Sequence, residues 1–136
     1  LQRGINDGHL VVDSFKQKDV NVDAIFASPA VRDIHTCLIF LRQLHFPYNQ
    51  LENTNELYDF SGDDVLQFVK NLEDSLNNVM IFGHNHAFTH LAKALGNLYV
   101  DNVPTSGLVH LAFDTNNWST LEKGTTINTI FPKHLK

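Results

Sequence analysis

Two residues of the sequence stand where they could bind a phosphate group. Arg32 follows the apolar run 23–27 and the dipeptide Ser28-Pro29, and His84 follows the apolar run 78–83. If both runs are buried parallel strands, both side chains lie at the carboxyl edge of the sheet, where ligands usually bind. An arginine in the first turn of a helix can hold phosphate oxygens through paired hydrogen bonds, and a histidine after a strand-ending glycine can point into the same cleft.

Each of these residues also has a purely structural interpretation. Most arginines are exposed, so Arg32 alone is compatible with a solvated surface side chain. His84 is equally compatible with a hydrogen-bonded structural histidine. The sequence therefore favours a phosphate site through the combination of the two residues and not through either one.

The elements that must position these residues alternate between helical and strand-like patterns. Four segments with apolar residues at helical spacing are predicted helices: 5–15, 31–41, 65–76 and 88–95. Gly96 is placed to end the last helix in the left-handed conformation. Two short apolar runs, 23–27 and 78–83, are predicted buried strands, and residues 50–53 are predicted to form a short strand. Three β-like pieces after Pro104 predict added or antiparallel strands: 107–113, 118–121 and 126–131.

This alternation predicts an α/β fold. We expect a three-layer sandwich in which helices cover both faces of a mainly parallel central sheet, with right-handed crossovers. The 136 residues fit one domain, and the sequence has no internal repeat, linker or break in composition.

Composition narrows the classes of partner and compartment. The 10 Lys and Arg residues against 15 Asp and Glu give a net charge of −5, which disfavours binding of nucleic acid through a broad basic surface. The sequence lacks the roughly 18 consecutive apolar residues that a membrane-spanning helix needs. Its single cysteine, Cys37, cannot form an internal disulfide and is predicted to be a packing thiol. We expect a reducing, cytoplasmic compartment. The oligomeric state stays open, and a monomer is compatible with the sequence.

Several segments resemble, in the same order, motifs of the histidine phosphatase superfamily, and especially of its SixA-like phosphohistidine phosphatases. Residues 1–4 resemble the turn before the first helix of that family. Ser28-Pro29-Ala30-Val31-Arg32 with Thr36 resembles its arginine motif. Phe82-Gly83-His84-Asn85 resembles its second-histidine motif, and Val103-Pro104-Thr105-Ser106-Gly107 the loop that follows.

The resemblance implies a phosphoglycerate mutase-like fold and a phosphatase that acts through a phosphohistidine enzyme intermediate. Its substrate would be phosphohistidine, a related phosphorylated protein or a small phosphate. Arg32 and His84 would be catalytic and bind the phosphoryl oxygens, and Asn85, Thr105 and Ser106 would add further phosphate contacts. Because cationic donors perform this work, we expect no metal and no other cofactor.

The nucleophile of that family is the histidine of an Arg-His pair at the end of the first strand, and this sequence has no such pair. Leu1 is not an initiator methionine, so we expect the natural polypeptide to begin upstream. Residues 1–136 would then form a single histidine-phosphatase-like domain without its first strand. A missing central strand would cost several kcal/mol of a stability of about 5–15 kcal/mol, so something must fill its place.

The resemblance leaves the proton donor open. Many relatives supply a carboxylate from the region of Glu56 and Asp59, and Glu56 is the candidate here, with a solvated loop carboxylate as the alternative. A phosphoramidate bond needs less acid assistance than an ester, which favours phosphohistidine as substrate. His35 stands where relatives commonly carry glutamine, and His86 where a proline usually follows Gly-His-Asn.

Two other functions remain open at this point. A catalytically silent phosphate-binding or interaction module would keep Arg32 and His84 without a nucleophile. A metallohydrolase could use His84, His86 and His90, whose spacing is compatible with metal binding, although no carboxylate lies close to them in the sequence.

Overall fold

The computed structural model describes residues 2–136, in which helices and strands alternate along most of the chain. The helices are α1 (Gln2–Lys16), α2 (Val31–Leu44), α3 (Asp63–Lys70) and α4 (Asn85–Leu95). The strands are β1 (Ala24–Ala27), β2 (Leu51–Asn53), β3 (Val79–Phe82), β4 (Leu108–Ala112) and β5 (Thr125–Ile130). Leu1 lies outside the described residues. Gln2, Arg3 and Gly4 belong to α1, so the predicted turn before the first helix is wrong for these three residues.

A parallel sheet of three strands forms the centre of the fold. Its order is β2-β1-β3, and the last residues of β1 and β3, Ala27 and Phe82, are paired with each other. Both strands therefore end at the same edge of the sheet. This confirms the predicted parallel arrangement and places the segments that follow, starting at Ser28 and Gly83, side by side.

Helices pack on both faces of this sheet, as predicted. On one face, Ile25 and Ala27 of β1 form a cluster with Cys37 and Leu41 of α2. On the other face, Phe26 packs in a cluster that α3 and α4 complete. Side chains of a strand alternate between faces, so a strand covered on both sides must be apolar throughout. This requirement explains the uniformly apolar sequences of β1 and β3.

A second, antiparallel sheet consists of β4 and β5, with Leu108 opposite Ile130 and an irregularity in register between His110 and Leu111. This pair confirms the antiparallel strands expected near the end of the chain. Within residues 2–136, no strand pairs with the edge of β3 that faces away from β1, and β4 pairs only with β5. A groove of about 660 Å³ runs between β3 and β4.

The predicted strand at 118–121 is wrong, because residues Trp118–Thr120 form a short 3₁₀ helix. The backbone N–H of Trp118 donates to the carboxylate of Asp74 at 3.0 Å, and its indole N–H donates to the carbonyl of Leu76 at 3.0 Å. These contacts hold the segment against the turn after α3, where it cannot join a sheet.

One predicted helix end is wrong, and another lies where it was expected but with a different backbone conformation. Helix α3 stops at Lys70, although Leu72 and Leu76 still pack against the same apolar cluster. Gly96 ends α4 with φ −93°, which is not left-handed. Glycine is needed there for another reason, since a Cβ atom would lie 2.8 Å from the carbonyl oxygen of Ala92.

Candidate active site

The turn between β1 and α2 places Arg32 at the carboxyl edge of the sheet. Ser28 is completely buried, and its N–H donates to the carbonyl of Phe82 at 2.9 Å. Its hydroxyl oxygen accepts the N–H of Ala30 at 3.2 Å, which fixes the turn. Arg32 follows in the first turn of α2 with an exposed side chain. The guanidinium and the helix N-terminus are thus presented together, and both favour an anion.

His84 lies beside this turn, at the residue that precedes α4. Its Nδ1 accepts the backbone N–H of His86 at 3.2 Å. An imidazole that accepts at Nδ1 carries its proton on Nε2, so His84 has an N–H available to donate to a bound oxyanion. Gly83 permits the close approach of this segment to its neighbours, because a Cβ atom would lie 3.0 Å from the carbonyl oxygen of Leu57.

The loop 103–107 is tied to the start of α4. The hydroxyl of Thr89 donates to the carbonyl of Asn85 at 2.8 Å and accepts the N–H of Val103 at 2.9 Å. The side-chain amide of Asn85 donates to the hydroxyl of Thr105 at 3.1 Å. These bonds bring Asn85, Thr105 and the adjoining Ser106 together at the end of the groove.

Ser106 has two features of a binding residue. Its φ of +64° lies in the left-handed region, which is unfavourable for a residue other than glycine. Its hydroxyl oxygen is buried and has no hydrogen-bond partner among residues 2–136. Strain and an unsatisfied polar group often coincide at sites that a ligand completes.

The groove connects these residues with the two strand edges. The proposed phosphate ligands at one end are Arg32, Asn85, Thr105 and Ser106, and Gly83 next to His84 also lines the groove. At its other end lie Asn77, Asn116 and Trp118, and along its length run the edges of β3 and β4. The polar end of the groove therefore coincides with the carboxyl edge of the parallel sheet.

Asp33 is a site residue that sequence reasoning missed, although its position next to Arg32 is visible in the sequence. It lines the groove and is half-buried. Burial raises the pKa of its carboxyl group, and this effect exceeds the opposing influence of the Ser28 side chain and of the charges on His84 and Arg32. Asp33 is thus a carboxyl group at the site that holds a proton more readily than usual.

Glu56, unlike Asp33, does not line the groove. It is exposed on a short 3₁₀ helix, Asn55–Leu57. The structure does not bring Glu56 together with Arg32 and Asn85, so its role as proton donor stays a prediction.

Asp59, the other carboxylate of that region, organises the loop before α3. It is buried, and it accepts backbone N–H groups of Ser61, Gly62, Asp64 and Val65 at 3.0–3.2 Å together with the Ser61 hydroxyl. Burial acts to raise the pKa of this carboxyl group, but the hydrogen bonds outweigh it and the pKa is lowered. Asp59 is therefore ionised at neutral pH and serves as an anchor, not as a proton donor.

We expect Asp59→Asn to destabilise the protein by about 1–3 kcal/mol at pH 7, because hydrogen bonds to a charged group are lost. The folded-state pKa of Asp59 lies below its unfolded value, so its contribution is complete above the unfolded pKa of about 3.9 and disappears as pH falls through the folded pKa. Urea unfolding of both proteins at pH 7 and in acid measures the difference. Asp13→Asn, at an exposed position of α1, is the matched control. A difference that is the same at both pH values would contradict this role.

The structure also accounts for the cysteine and for the three histidines whose spacing is compatible with a metal. Cys37 is completely buried, and burial raises the pKa of its thiol to about 12, which makes it a packing residue. Across residues 2–136, no group of three or more His, Cys, Asp and Glu side chains is arranged to hold a metal ion, so His84, His86 and His90 do not converge on one.

No helix within residues 2–136 combines the length and the apolar character that crossing a membrane requires.

The order of the elements and the two helical layers define an α/β fold with a parallel central sheet, and the candidate site lies at the carboxyl edge of that sheet. The chain superposes over its full length on 85% of the protein histidine phosphatase SixA in complex with tungstate, with a TM-score of 0.74 and 18% identity. It also superposes, over 95% of its length, on 80% of a protein from Agrobacterium tumefaciens assigned as a phosphohistidine phosphatase SixA, with a TM-score of 0.73 and 19% identity. No protein-family description and no curated protein matches the sequence. These likenesses establish a SixA-like fold.

Proposed function

We propose that this protein is a phosphatase that hydrolyses phosphohistidine, in a protein or a small molecule, through a phosphohistidine enzyme intermediate. The observation that carries the proposal is that Arg32, Asn85, Thr105 and Ser106 line the groove, in a fold shared with a protein histidine phosphatase. His84 directly precedes Asn85 and is close enough to Asp33 for its charge to act on that carboxyl group. These residues supply a guanidinium, an imidazole N–H, an amide and hydroxyl groups, which are suited to phosphoryl oxygens.

The roles of these residues follow from their geometry. Arg32 binds two phosphoryl oxygens with its planar guanidinium, and His84 donates from Nε2 to an oxygen as negative charge shifts during transfer. The bond from Asn85 to Thr105 holds the loop that carries Ser106, whose hydroxyl lacks a partner among residues 2–136 and would donate to the same oxygens. This cage needs no metal ion to stabilise charge.

The nucleophile belongs, in this proposal, to a strand upstream of Leu1 that completes the domain formed by residues 1–136. A strand lying in the groove parallel to β3 would end beside Arg32 and His84. A histidine there attacks phosphorus, and the P–N bond of the substrate breaks as the released imidazole takes up a proton. Water then attacks the phosphoenzyme, which yields inorganic phosphate and restores the histidine.

The proton for the leaving group has two candidate sources in this chain. Asp33 lines the groove and has a raised pKa, whereas Glu56 lies outside the groove. An imidazole leaving group needs less acid assistance than an alcohol, so a phosphohistidine substrate makes the smaller demand on either carboxyl group.

The function is tested by incubating the natural full-length polypeptide with phosphohistidine and measuring released phosphate with and without EDTA. We expect turnover that EDTA does not change, and an acid-labile phosphoenzyme in rapidly quenched samples. Phosphate or tungstate binding without turnover would instead support the silent module. Activity that depends on stoichiometric Zn²⁺ would contradict the metal-independent mechanism.

A further inference from the structure

Two large aromatic side chains beside His84 are exposed to solvent. Tyr58 and Phe60 each retain 55% of their accessible surface. The ring centroid of Phe60 lies 4.3 Å from that of His84 at an interplanar angle of 66°, and Tyr58 and Phe60 are 5.7 Å apart in an edge-to-face arrangement. The three rings form a continuous strip that starts at a proposed phosphate ligand. We refer to Tyr58 and Phe60 as the aromatic wall.

The aromatic wall is held rigidly although its rings are exposed. Asp59, between the two aromatic residues, accepts the hydrogen bonds that fix the loop. Gly62, at φ +103°, packs so closely on α4 that a Cβ atom would lie 3.1 Å from the carbonyl oxygen of Ala87. The loop is therefore fixed to the same helix that His84 precedes. Exposed apolar rings on a rigid support are suited to contact a ligand, since no ordering of the loop opposes binding.

We propose that the aromatic wall receives the planar ring of the substrate's leaving group, so that the site selects an N-phosphorylated imidazole over a non-aromatic phosphoramidate. This inference rests on the proposed function. A phosphoryl group bound by Arg32 and His84 has its leaving group attached directly to phosphorus, within a few ångströms of Phe60. Edge-to-face or offset stacking against that ring favours an aromatic leaving group, and Tyr58 extends the contact outward.

The test compares two substrates that share a P–N bond and differ in the ring. The natural full-length polypeptide and its Phe60→Leu variant are assayed with phosphohistidine and with phosphoramidate. Leucine keeps an apolar side chain at the position and removes the aromatic ring. We expect kcat/KM for phosphohistidine to fall in Phe60→Leu by about three- to tenfold more than the value for phosphoramidate.

The matched control is Tyr48→Leu, which removes an exposed ring at a position that borders a different surface pocket with His9 and Arg42. It should leave both substrates unaffected. An equal loss for both substrates in Phe60→Leu would mean that Phe60 only positions His84, and no loss for either would mean that the wall is not used. Both results would overturn the proposal.

Binding separates a failure of this inference from a failure of the proposed function. Benzylphosphonate and methylphosphonate carry the same anionic group with and without a ring, and calorimetry measures their dissociation constants without turnover. We expect tighter binding of benzylphosphonate, and loss of that preference in Phe60→Leu. If neither phosphohistidine nor phosphoramidate is hydrolysed, the proposed function is wrong. The preference for benzylphosphonate over methylphosphonate then tests by itself whether the aromatic wall contacts a ligand ring. Equal binding of the two phosphonates would contradict the proposal that the aromatic wall contacts the ring.

Discussion

Replacing Arg32 by alanine is expected to lower kcat/KM for phosphohistidine by about 10³-fold in the natural full-length polypeptide, in line with the effect of other arginines that stabilise phosphoryl transfer. His84→Ala should cost about 10²–10³-fold, which is the usual loss when one preorganised donor to a developing oxyanion is removed. Both residues are exposed and lie outside the apolar clusters of the core, so the variants should stay folded.

The expected losses come from two different properties of the side chains. The guanidinium of Arg32 can donate two parallel hydrogen bonds to phosphoryl oxygens, which a lysine ammonium cannot reproduce. Arg32→Lys should therefore recover only part of the activity lost in Arg32→Ala. His84 acts through the Nε2–H that its bond to the backbone N–H of His86 leaves available. Because that bond uses only the backbone of His86, His86→Ala should preserve the orientation of His84.

Steady-state kinetics and thermal unfolding of each variant check this prediction together. Arg42→Ala removes an exposed arginine from the last turn of the same helix and is the matched control for Arg32→Ala. Near-normal turnover in Arg32→Ala or in His84→Ala would remove that residue from the site. A large fall in the unfolding temperature would show that the lost activity reflects stability instead of chemistry.

The strands of the central sheet could be predicted because burial on both faces imposes a strong requirement on consecutive residues of the sequence. A strand covered on both faces must be apolar at every position, and this makes β1 and β3 visible as unbroken runs. The strand ends then place Arg32 and His84 at one edge without knowledge of other contacts. Trp118 shows the opposite case. The sequence of its segment is typical of a strand. The observed 3₁₀ conformation depends instead on hydrogen bonds to Asp74 and Leu76, which lie more than forty residues earlier.

The parts of the site that the sequence did not reveal depend on non-local contacts in the same way. Asp33 is visible beside Arg32, but its raised pKa comes from burial in the fold. The contact of Phe60 with His84 joins a loop to a helix start, and no local pattern encodes it. Asp59 lies in the region from which relatives supply a carboxylate, but its hydrogen bonds make it an anchor.

The groove between β3 and β4 is suited to hold an additional strand. Removal of that strand is the second change for which we expect a large effect. The residues that face the groove include most of β3 and β4, whose edges lack a partner on that side within the described chain. Two polar atoms that border it, the hydroxyl of Ser106 and Nδ1 of His110, are buried without hydrogen-bond partners in residues 2–136. Burial also lowers the pKa of His110, which favours its neutral form. An inserted strand would pair both edges and bring backbone groups toward these atoms.

The groove leads us to expect an upstream apolar strand in the natural polypeptide, and the resemblance to SixA-like phosphatases implies that this strand ends in an Arg-His pair. Removal of the strand should then abolish turnover. Stability should also fall by several kcal/mol out of about 5–15 kcal/mol, because two strand edges lose their backbone partners and the apolar side chains around the groove lose their cover. Intact mass and N-terminal sequencing of the natural protein identify the segment, and urea unfolding with and without it measures the loss. A variant with asparagine in place of the upstream histidine separates the two effects, since it should lose turnover and the phosphoenzyme but keep its stability. A natural mass equal to the 15.4 kDa of residues 1–136 would contradict the prediction and favour the silent phosphate-binding module.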